Sequence, residues 1–562
     1  MFSKRAHAKT DETDAPAKKL KAVLADAFLS NSLDGQRMQK IFELEHQSGV
    51  RGFEKLAKAG NSGKSSGHIA RDLRTTLLKG SKWPGLYYAP VTFWSIRHQC
   101  KAVVEMPFLL PHEVIALLAE RASSLQLLLA EDNMSMAARK HLAFARQELG
   151  RPDLIGLGLW GDGCPCKFDR SQSLEVFSLN LPGAVGDVRN MRFVITAIHK
   201  HFCITHDTFD SIMQVIVWSL ERLALGEMPG CRHDGSSWAK SDACRKGRAH
   251  EKIPAAVLVE ARGDWAYFKN AYRLPQHNEL NGMCWFCNCT PSQVRDVGAN
   301  AEWRRNRLSH WQLLERMAHA GLSLSPLFNA PCFRSTVMQI DWLHTIDQGT
   351  AADYLGNFMY LLCCSKMPGA DHKKRVSSLF LDIMQFYEVC PQDSQLQYLT
   401  VGMIRVGSKS PHLNCKAAVA RNLIPWAVLA GERYLDSSDA FESTVKQCGL
   451  ELQGCYRCLS QSTFNAATLE EHCRKFAVLL VALESASVDK ALWHVKPKIH
   501  LMQELCETQE GCPSTSWVYR DEDFGGSVAA LSQHRGGAKN PHSVAKALLQ
   551  RFMAKHPFPR LA

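Results

Sequence analysis

The 562-residue chain has no run of about 18 apolar residues, so no membrane-spanning helix is expected. Its opening, MFSKRAHAKTDETDAPAKKLK, is charged and lacks the apolar stretch of a secretory leader. An oxidising compartment is therefore not implied. The 20 cysteines are expected as reduced thiols, with any close pair a candidate metal site. Internal repeats are absent, which excludes solenoids and propellers. The N-terminal part carries no zinc finger and no other clear DNA-binding signature. No nucleophile elbow stands between a strand and a helix, so a Ser/His or Cys/His hydrolase fits poorly.

What is present is ordinary in bulk. Hydrophobic residues make up 46% and charged residues 22%, the balance of a globular protein. The length calls for about two to four units, or one core with large insertions. A net charge of +12 favours an anionic partner such as nucleic acid, although many basic proteins bind none. Residues 15–21 (APAKKLK) form a short basic cluster, read either as solvated tail or as a nuclear-import patch. A nuclear location is the expectation.

Pattern divides the chain. Residues 1–24 read as a disordered basic tail and 25–150 as a helical N-terminal region, with a Gly/Ser/Lys loop at 60–67. Short apolar runs at 154–160 (LIGLGLW), 174–181 and 191–198 (MRFVITAI) predict three strands. An amphipathic helix follows at 207–225, then a fourth strand at 253–261 (IPAAVLVEA). Strand, strand, strand, helix, strand is the order of an RNase H-like fold. The expected class is α/β: a mixed-sheet RNase H-like core whose first part is 151–265. Residues 266–348 hold a cysteine-containing, zinc-like segment and a core strand at 337–340. A large all-helical insertion spans 349–506. Residues 507–562 supply a final core helix, a Gly-rich loop and a C-terminal helix.

Three acids fit that frame. Two-metal phosphoryl transfer needs carboxylates fixed around cations about 4 Å apart, and hard cations prefer oxygen. Asp162 ends the first predicted strand and Asp264 follows the fourth. In the RNase H-like order those strands are neighbours, so their tips can meet. A third acid ordinarily comes from a later helix. Glu522 fits, with Asp521 and Asp523 as rivals. Taken singly each has a plainer reading. An Asp beside Gly is usually a turn residue, and acids at a helix start usually cap it.

The segment Cys284-Trp285-Phe286-Cys287 is a C-x-x-C, whose bend lets two thiolates face one tetrahedral zinc. The remaining ligands stay open: His344, Cys289, His277, or the pair Cys231 and His233. Buried reduced thiols are the alternative. A redox role fits poorly without thioredoxin-like surroundings. Arg304, Arg305, Arg307, Lys496 and Lys498 are candidates for phosphate contact, or simply solvated helix faces.

Four blocks together resemble the DDE transposases of CACTA-type elements and their Plavaka-like relatives. They are Trp160-Gly161-Asp162-Gly163 with the strand ending Asn180-Leu181-Pro182; Gly263-Asp264-Trp265 running on to Cys284 and Cys287; Asp341-Trp342-Leu343-His344, a D-x-x-H; and Glu522 followed by Gly525-Gly526-Ser527. The resemblance covers roughly residues 155–535. It implies DNA cleavage and strand transfer at element ends, with Asp162, Asp264 and Glu522 holding two Mg²⁺ or Mn²⁺ ions. It also implies a structural Zn²⁺ on Cys284, Cys287 and His344, transposon-end and target DNA as partners, and a homo-oligomer. Two other readings remain: a catalytically inactive, transposon-derived DNA-binding scaffold, and another RNase H-like nuclease.

Overall fold

The computed structural model describes residues 14–29, 33–60, 68–78, 83–121, 129–166, 171–185, 190–460, 463–508, 511–532 and 540–556. Its longer opening helices are α1 (Asp14–Leu29), α2 (Gly35–Gln47) and α3 (Ile69–Leu78), with one short turn of helix at Glu54–Ala57. Residues 14–24 are thus helical, not tail, and residues 1–13 lie outside the described part. The reason is a stripe, Ala17, Leu20, Leu24 and Phe28, that packs against Met38, Phe42 and Phe53 in a small separate core. Of the loop at 60–67, residues 61–67 are also outside the described part.

The region 25–150 is not all helix. β1 (Tyr87–Ser95) and β2 (Cys100–Phe108) form an antiparallel hairpin. Tyr87, Ala89 and Val91 alternate inward, the period of a half-buried strand. The hairpin leads directly onto the main sheet, where the Leu109 N–H donates to the Ile195 carbonyl at 2.9 Å. Then come α4 (Pro111–Arg121) and α5 (Met136–Glu148). Ser135 caps α5 by accepting from the Ala138 N–H.

The main sheet has β3 (Ile155–Pro165), β4 (Ser173–Asn180), β5 (Arg192–His199) and β6 (Ala256–Arg262) in the order β5-β4-β3-β6. β3 pairs antiparallel with β4, β4 antiparallel with β5, and β6 lies parallel to β3. The molecule is therefore mixed α/β with a mixed sheet. Every residue of β5 and β6 is buried, so both faces of the sheet are covered. Each Leu, Ile or Val so buried contributes about 1.5–3 kcal/mol. The crossover between β5 and β6 carries α6 (Asp207–Leu225), ended by Gly226 in the left-handed region at φ 67°. After β6, α7 (Trp265–Tyr272) follows at once.

Two strand expectations change. The first strand runs on to Pro165, so Asp162 lies within it rather than at its end. Partner strand β4 is long enough to pair Asp162 with Val176 and Gly163 with Glu175. The strand expected at 337–340 shrinks to one parallel bridge, Met338 beside Ala261, on the outer edge of β6. A short 3₁₀ turn at Ser335–Val337 uses up the preceding residues.

A π-helix, Leu343–Thr350, then runs into α8 (Ala351–Ser365). The longer helices of the rest of 349–506 are α9 (His372–Val389), α10 (Ala417–Tyr434), α11 (Ala440–Ser460), α12 (Ala466–Ala486) and α13 (Lys498–Thr508). Finally α14 (Tyr519–Leu531) packs on β3, β4 and β5, and α15 (Pro541–Lys555) joins β2 and β5 to α1 and α3. The Gly-rich loop expected between them, at 533–539, is outside the described residues. Among the described residues no helix is long and apolar enough to cross a membrane.

Candidate metal centres

The register of the two parallel strands sets the first centre. Trp160 pairs with Arg262, so Asp162 and Asp264 stand at equivalent positions, each two residues further on. Parallel neighbours lie about 4.8 Å apart, which brings the two residues close enough for the Asp264 charge to act on Asp162. Gly161 is required here: a Cβ would collide with the Tyr267 ring, which lies against the strand. Asp264 lies two residues past the end of β6 and caps α7, its Oδ1 accepting from the Tyr267 N–H at 2.5 Å.

The third acid arrives on α14. Gly525 lets that helix approach β3, since a Cβ there would meet Trp160 and Cys164 at 2.5 Å. Glu522 then faces Asp162. His344 joins them, its Nε2 lying 3.8 Å from Glu522 Oε1. One ligand atom each from Asp162, His344 and Glu522 lies within 4.8 Å of the other two. Asp264 stands beside this trio rather than in it. Glu522 Oε1 is buried and has no hydrogen-bond partner among the described residues.

His344 is aimed by Asp341. The Asp341 Oδ2 takes both the His344 N–H and its ring Nδ1, at 2.8 and 2.7 Å. Oδ1 accepts from the Leu343 N–H and from Val518 N–H, just ahead of α14. The D-x-x-H is thus a brace that presents Nε2 to the acids, the arrangement typical of a metal-ligating imidazole with a carboxylate behind it. A cleft of ≈ 300 Å³ opens alongside, lined by Asp264, Asp341, His344 and Lys498 among others.

The rival acids go elsewhere. Asp521 is fully buried beneath the site, where Arg192 Nε donates to it at 2.6 Å and Arg262 Nη1 at 3.2 Å. Arg262 also holds Glu260 at 2.6 Å. This clamp ties α14 to β5 and β6 and so fixes the helix that carries Glu522. Asp523 is exposed, in a separate cleft with Phe524 and Phe552. A fourth carboxylate escaped the sequence reading: Glu175 of β4, opposite Gly163 and buried. Its place as the one charged residue in the otherwise uncharged run 174–181 was the available signal.

The electrostatics are those of crowded acids. Burial and the neighbouring Asp264 charge raise Asp162 above the usual carboxylate range. Burial and the Asp162 charge push Glu522 up to about 9. Burial, opposed by Lys200, leaves Glu175 at about 7. For His344 burial pulls downward, but the bond to Asp341 and the surrounding acids outweigh it and lift the imidazole to about 9. A bound cation would relieve this repulsion.

The second centre is fully buried. Cys284, Cys287, His500 and Glu504 bring ligand atoms within 4.8 Å of one another. His500 Nε2 lies 3.3 Å from Cys287 Sγ and 3.4 Å from Glu504 Oε1, and Cys284 Sγ lies 3.6 Å from the same oxygen. The Phe286 N–H donates to Cys284 Sγ at 3.3 Å, folding the C-x-x-C around its sulfurs. Arg316 holds the Cys287 carbonyl at 3.1 Å and also the Cys284 carbonyl. His500 and Glu504 sit one turn apart on α13, on a single face. Burial works against a Cys284 thiolate, yet bonds from Cys287 and His500 lower it to about 6. Burial likewise opposes the Glu504 charge, and His500 with Arg307 brings it down to about 2.

This corrects the expected ligand set. His344 belongs to the acidic centre, because Asp341 turns it there. His277 stacks edge-on to Trp265, His233 bonds Tyr87 at 2.6 Å, and Cys231 is exposed. Cys289 is buried nearby and helps hold up the basicity of His500. His500 and Glu504 come 213 and more residues after Cys287, and no local spacing links them.

All five basic candidates are engaged internally. Arg304 pairs with Glu507 and stacks on Trp303, and Arg307 reaches Glu504 at 2.7 Å. Lys496 bonds Asp353, Lys498 donates to the His344 carbonyl, and Arg305 donates to the Asn300 carbonyl. Compared with known proteins, the chain matches no family model and no curated sequence.

Proposed function

We propose that the chain is a DDE-type DNA strand transferase built on an RNase H-like core, as its resemblance to CACTA and Plavaka-like transposases implies. The observation that carries this reading is the register of β3 and β6, which sets Asp162 and Asp264 side by side, with Glu522 brought onto Asp162 by α14. The sheet order β5-β4-β3-β6, with a parallel bridge at Met338 on the outer edge, agrees with such a core.

The donor set fits divalent cations. It offers carboxylates in excess, an unbonded buried oxygen on Glu522 and an imidazole nitrogen, a mixture that suits Mn²⁺ as well as Mg²⁺. Cations held here by Asp162, Asp264 and Glu522 would supply Lewis-acid stabilisation to the attacking and leaving oxygens of a phosphodiester. The chain's own contribution is placement. Asp341 orients His344, the Arg192–Asp521–Arg262 clamp orients Glu522, and the close packing at Gly161 and Gly525 holds strand and helices together. The second centre fits one tetrahedral Zn²⁺ through Cys284, Cys287, His500 and Glu504. Its role is structural, joining the C-x-x-C segment to α13.

A nicking assay on plasmid DNA with Mg²⁺ or Mn²⁺ tests the reading. Wild type should cut and Asp162→Asn should lose about 10³-fold, near 4 kcal/mol of transition-state stabilisation. Equal cutting by both would remove Asp162 from the mechanism. The capping bond that engages Asp264 favours a second reading, a non-cutting scaffold that keeps the fold. That reading predicts DNA binding without nicking.

A further inference from the structure

The helical region carries a cleft of ≈ 550 Å³ whose lining contains Arg421, Arg457, Asn422, Gln453, Tyr456 and Ser460, and no acid. Several arginines in this chain, the buried Arg273 and the exposed Arg295 and Arg433 among them, find carboxylates. Arg273 pairs with Asp210, Arg295 with Glu484 and Arg433 with Asp382. Arg421 does not. Among the described residues it makes no ion pair and no hydrogen bond. Instead its guanidinium lies 5.0 Å from the Trp517 ring centroid and 5.7 Å from that of Tyr456. Stacking on aromatic faces holds the planar group while its in-plane donors stay available. Arg457 is exposed and, among the described residues, bonds only Gln453, at 2.8 Å. The side-chain amides of Asn422 and Gln453 complete the lining, and Asp347, the acid whose charge Arg421 feels, is buried and bonded to Tyr456 and Tyr519.

The cleft is also tied to the acidic centre. Tyr456, part of its wall, donates to Asp347 in the π-helix. The other oxygen of Asp347 accepts from Tyr519 at 2.5 Å, and Trp342 donates to Asp347 at 3.2 Å. Trp342 lies within the D-x-x-H, and Tyr519 opens α14 three residues before Glu522. Cleft and acids therefore share one buried lock.

We propose that this cleft holds the phosphodiester backbone of a nucleic-acid strand, with Arg421 as the oriented contact and Arg457 as the second cation. The choice of nucleic acid over other polyanions rests on the reading of the acidic centre given above. A bidentate guanidinium contact on phosphate, backed by neutral donors, positions a strand without reading its sequence.

The test measures binding of a labelled random-sequence DNA duplex by anisotropy across salt concentrations, using the full chain. Arg421→Gln with Arg457→Gln should weaken binding roughly tenfold or more and reduce the log–log salt slope by about 2, one for each phosphate no longer neutralised. Lysine at both positions should restore the slope. Arg37→Gln with Lys40→Gln, on the separate N-terminal core, should leave it unchanged. An unchanged slope in the glutamine pair, an equal drop in the Arg37/Lys40 pair, no rescue by lysine, or no DNA binding by wild type would each overturn the proposal. Nicking is scored separately. Loss of slope with no metal-dependent cutting keeps the cleft and removes the strand-transferase reading; cutting with an unchanged slope does the reverse.

Discussion

The two ligand clusters of this molecule solve opposite problems. The cysteine centre is sealed and balanced: two thiols, one imidazole and one carboxylate, with Arg307 against the far oxygen of Glu504. The acidic centre is partly open and unbalanced, with Asp162 and Glu522 gathered at one imidazole and the charges of Asp264 and Glu175 acting on Asp162 and on each other. A balanced, buried set suits an ion that stays and holds structure. An unbalanced, accessible one suits cations that come with a substrate and leave with a product. The supports differ in kind as well. The first is anchored by backbone carbonyls on Arg316, the second by the sheet itself through close glycine contacts and a charged clamp.

The largest expected separation between the clusters is in stability. Removing the sealed ion with a strong chelator, or replacing Cys284 by Ala, should lower the urea midpoint sharply. Structural zinc sites contribute on the order of 10 kcal/mol of binding energy to folding in small domains, and several kcal/mol are expected here. Metal analysis should find about one zinc per chain before chelation. Zinc-free protein with an unchanged midpoint would make the cysteines ordinary core thiols. Next comes the clamp. Asp521→Ala leaves Arg192 and Arg262 buried without their shared partner and should cost about 3–5 kcal/mol in denaturant unfolding. A loss below about 1 kcal/mol would mean that the clamp does not hold α14.

A smaller effect, of opposite sign, belongs to the acidic centre. Glu522 has a folded-state pKa raised to about 9 from an ordinary value near 4.5. Between those values the folded protein binds more protons than the unfolded one, so stability falls as pH rises through that window. Glu522→Gln removes the penalty. In metal-free protein at pH 8 it should stabilise by about 1–2 kcal/mol, the usual trade at a strained functional site. At pH 4 it should be nearly neutral. Destabilisation at pH 8 would contradict the picture of crowded acids.

How far the sequence reaches differs between the same two clusters. Asp162 and Asp264 were legible because strand runs ending near Asp and Gly are local patterns, and the strand order makes those runs neighbours. Glu522 could be narrowed only to three adjacent acids. A helix start shows which residues are acidic but not which of them faces the sheet, and here the Arg192 and Arg262 partners decide it. The cysteine centre was half legible. Cys284 and Cys287 announce themselves by spacing, whereas His500 and Glu504 look like any one-turn pair on a helix until α13 is packed. His344 was misassigned because a D-x-x-H does not say which way its imidazole points. The hairpin β1–β2 was missed within a stretch read as helical, although the alternation from Tyr87 to Val91 was present.

Manganese titration by calorimetry, on zinc-loaded wild type and on Asp162→Asn, addresses the central claim most directly. Wild type should bind Mn²⁺ with an affinity that rises with pH between 6 and about 9, since binding must displace protons from the acids. Asp162→Asn should weaken binding at least about tenfold, which is about 1.4 kcal/mol. Equal affinity in the two proteins, or an affinity indifferent to pH, would show that Asp162, His344 and Glu522 do not form a cation site.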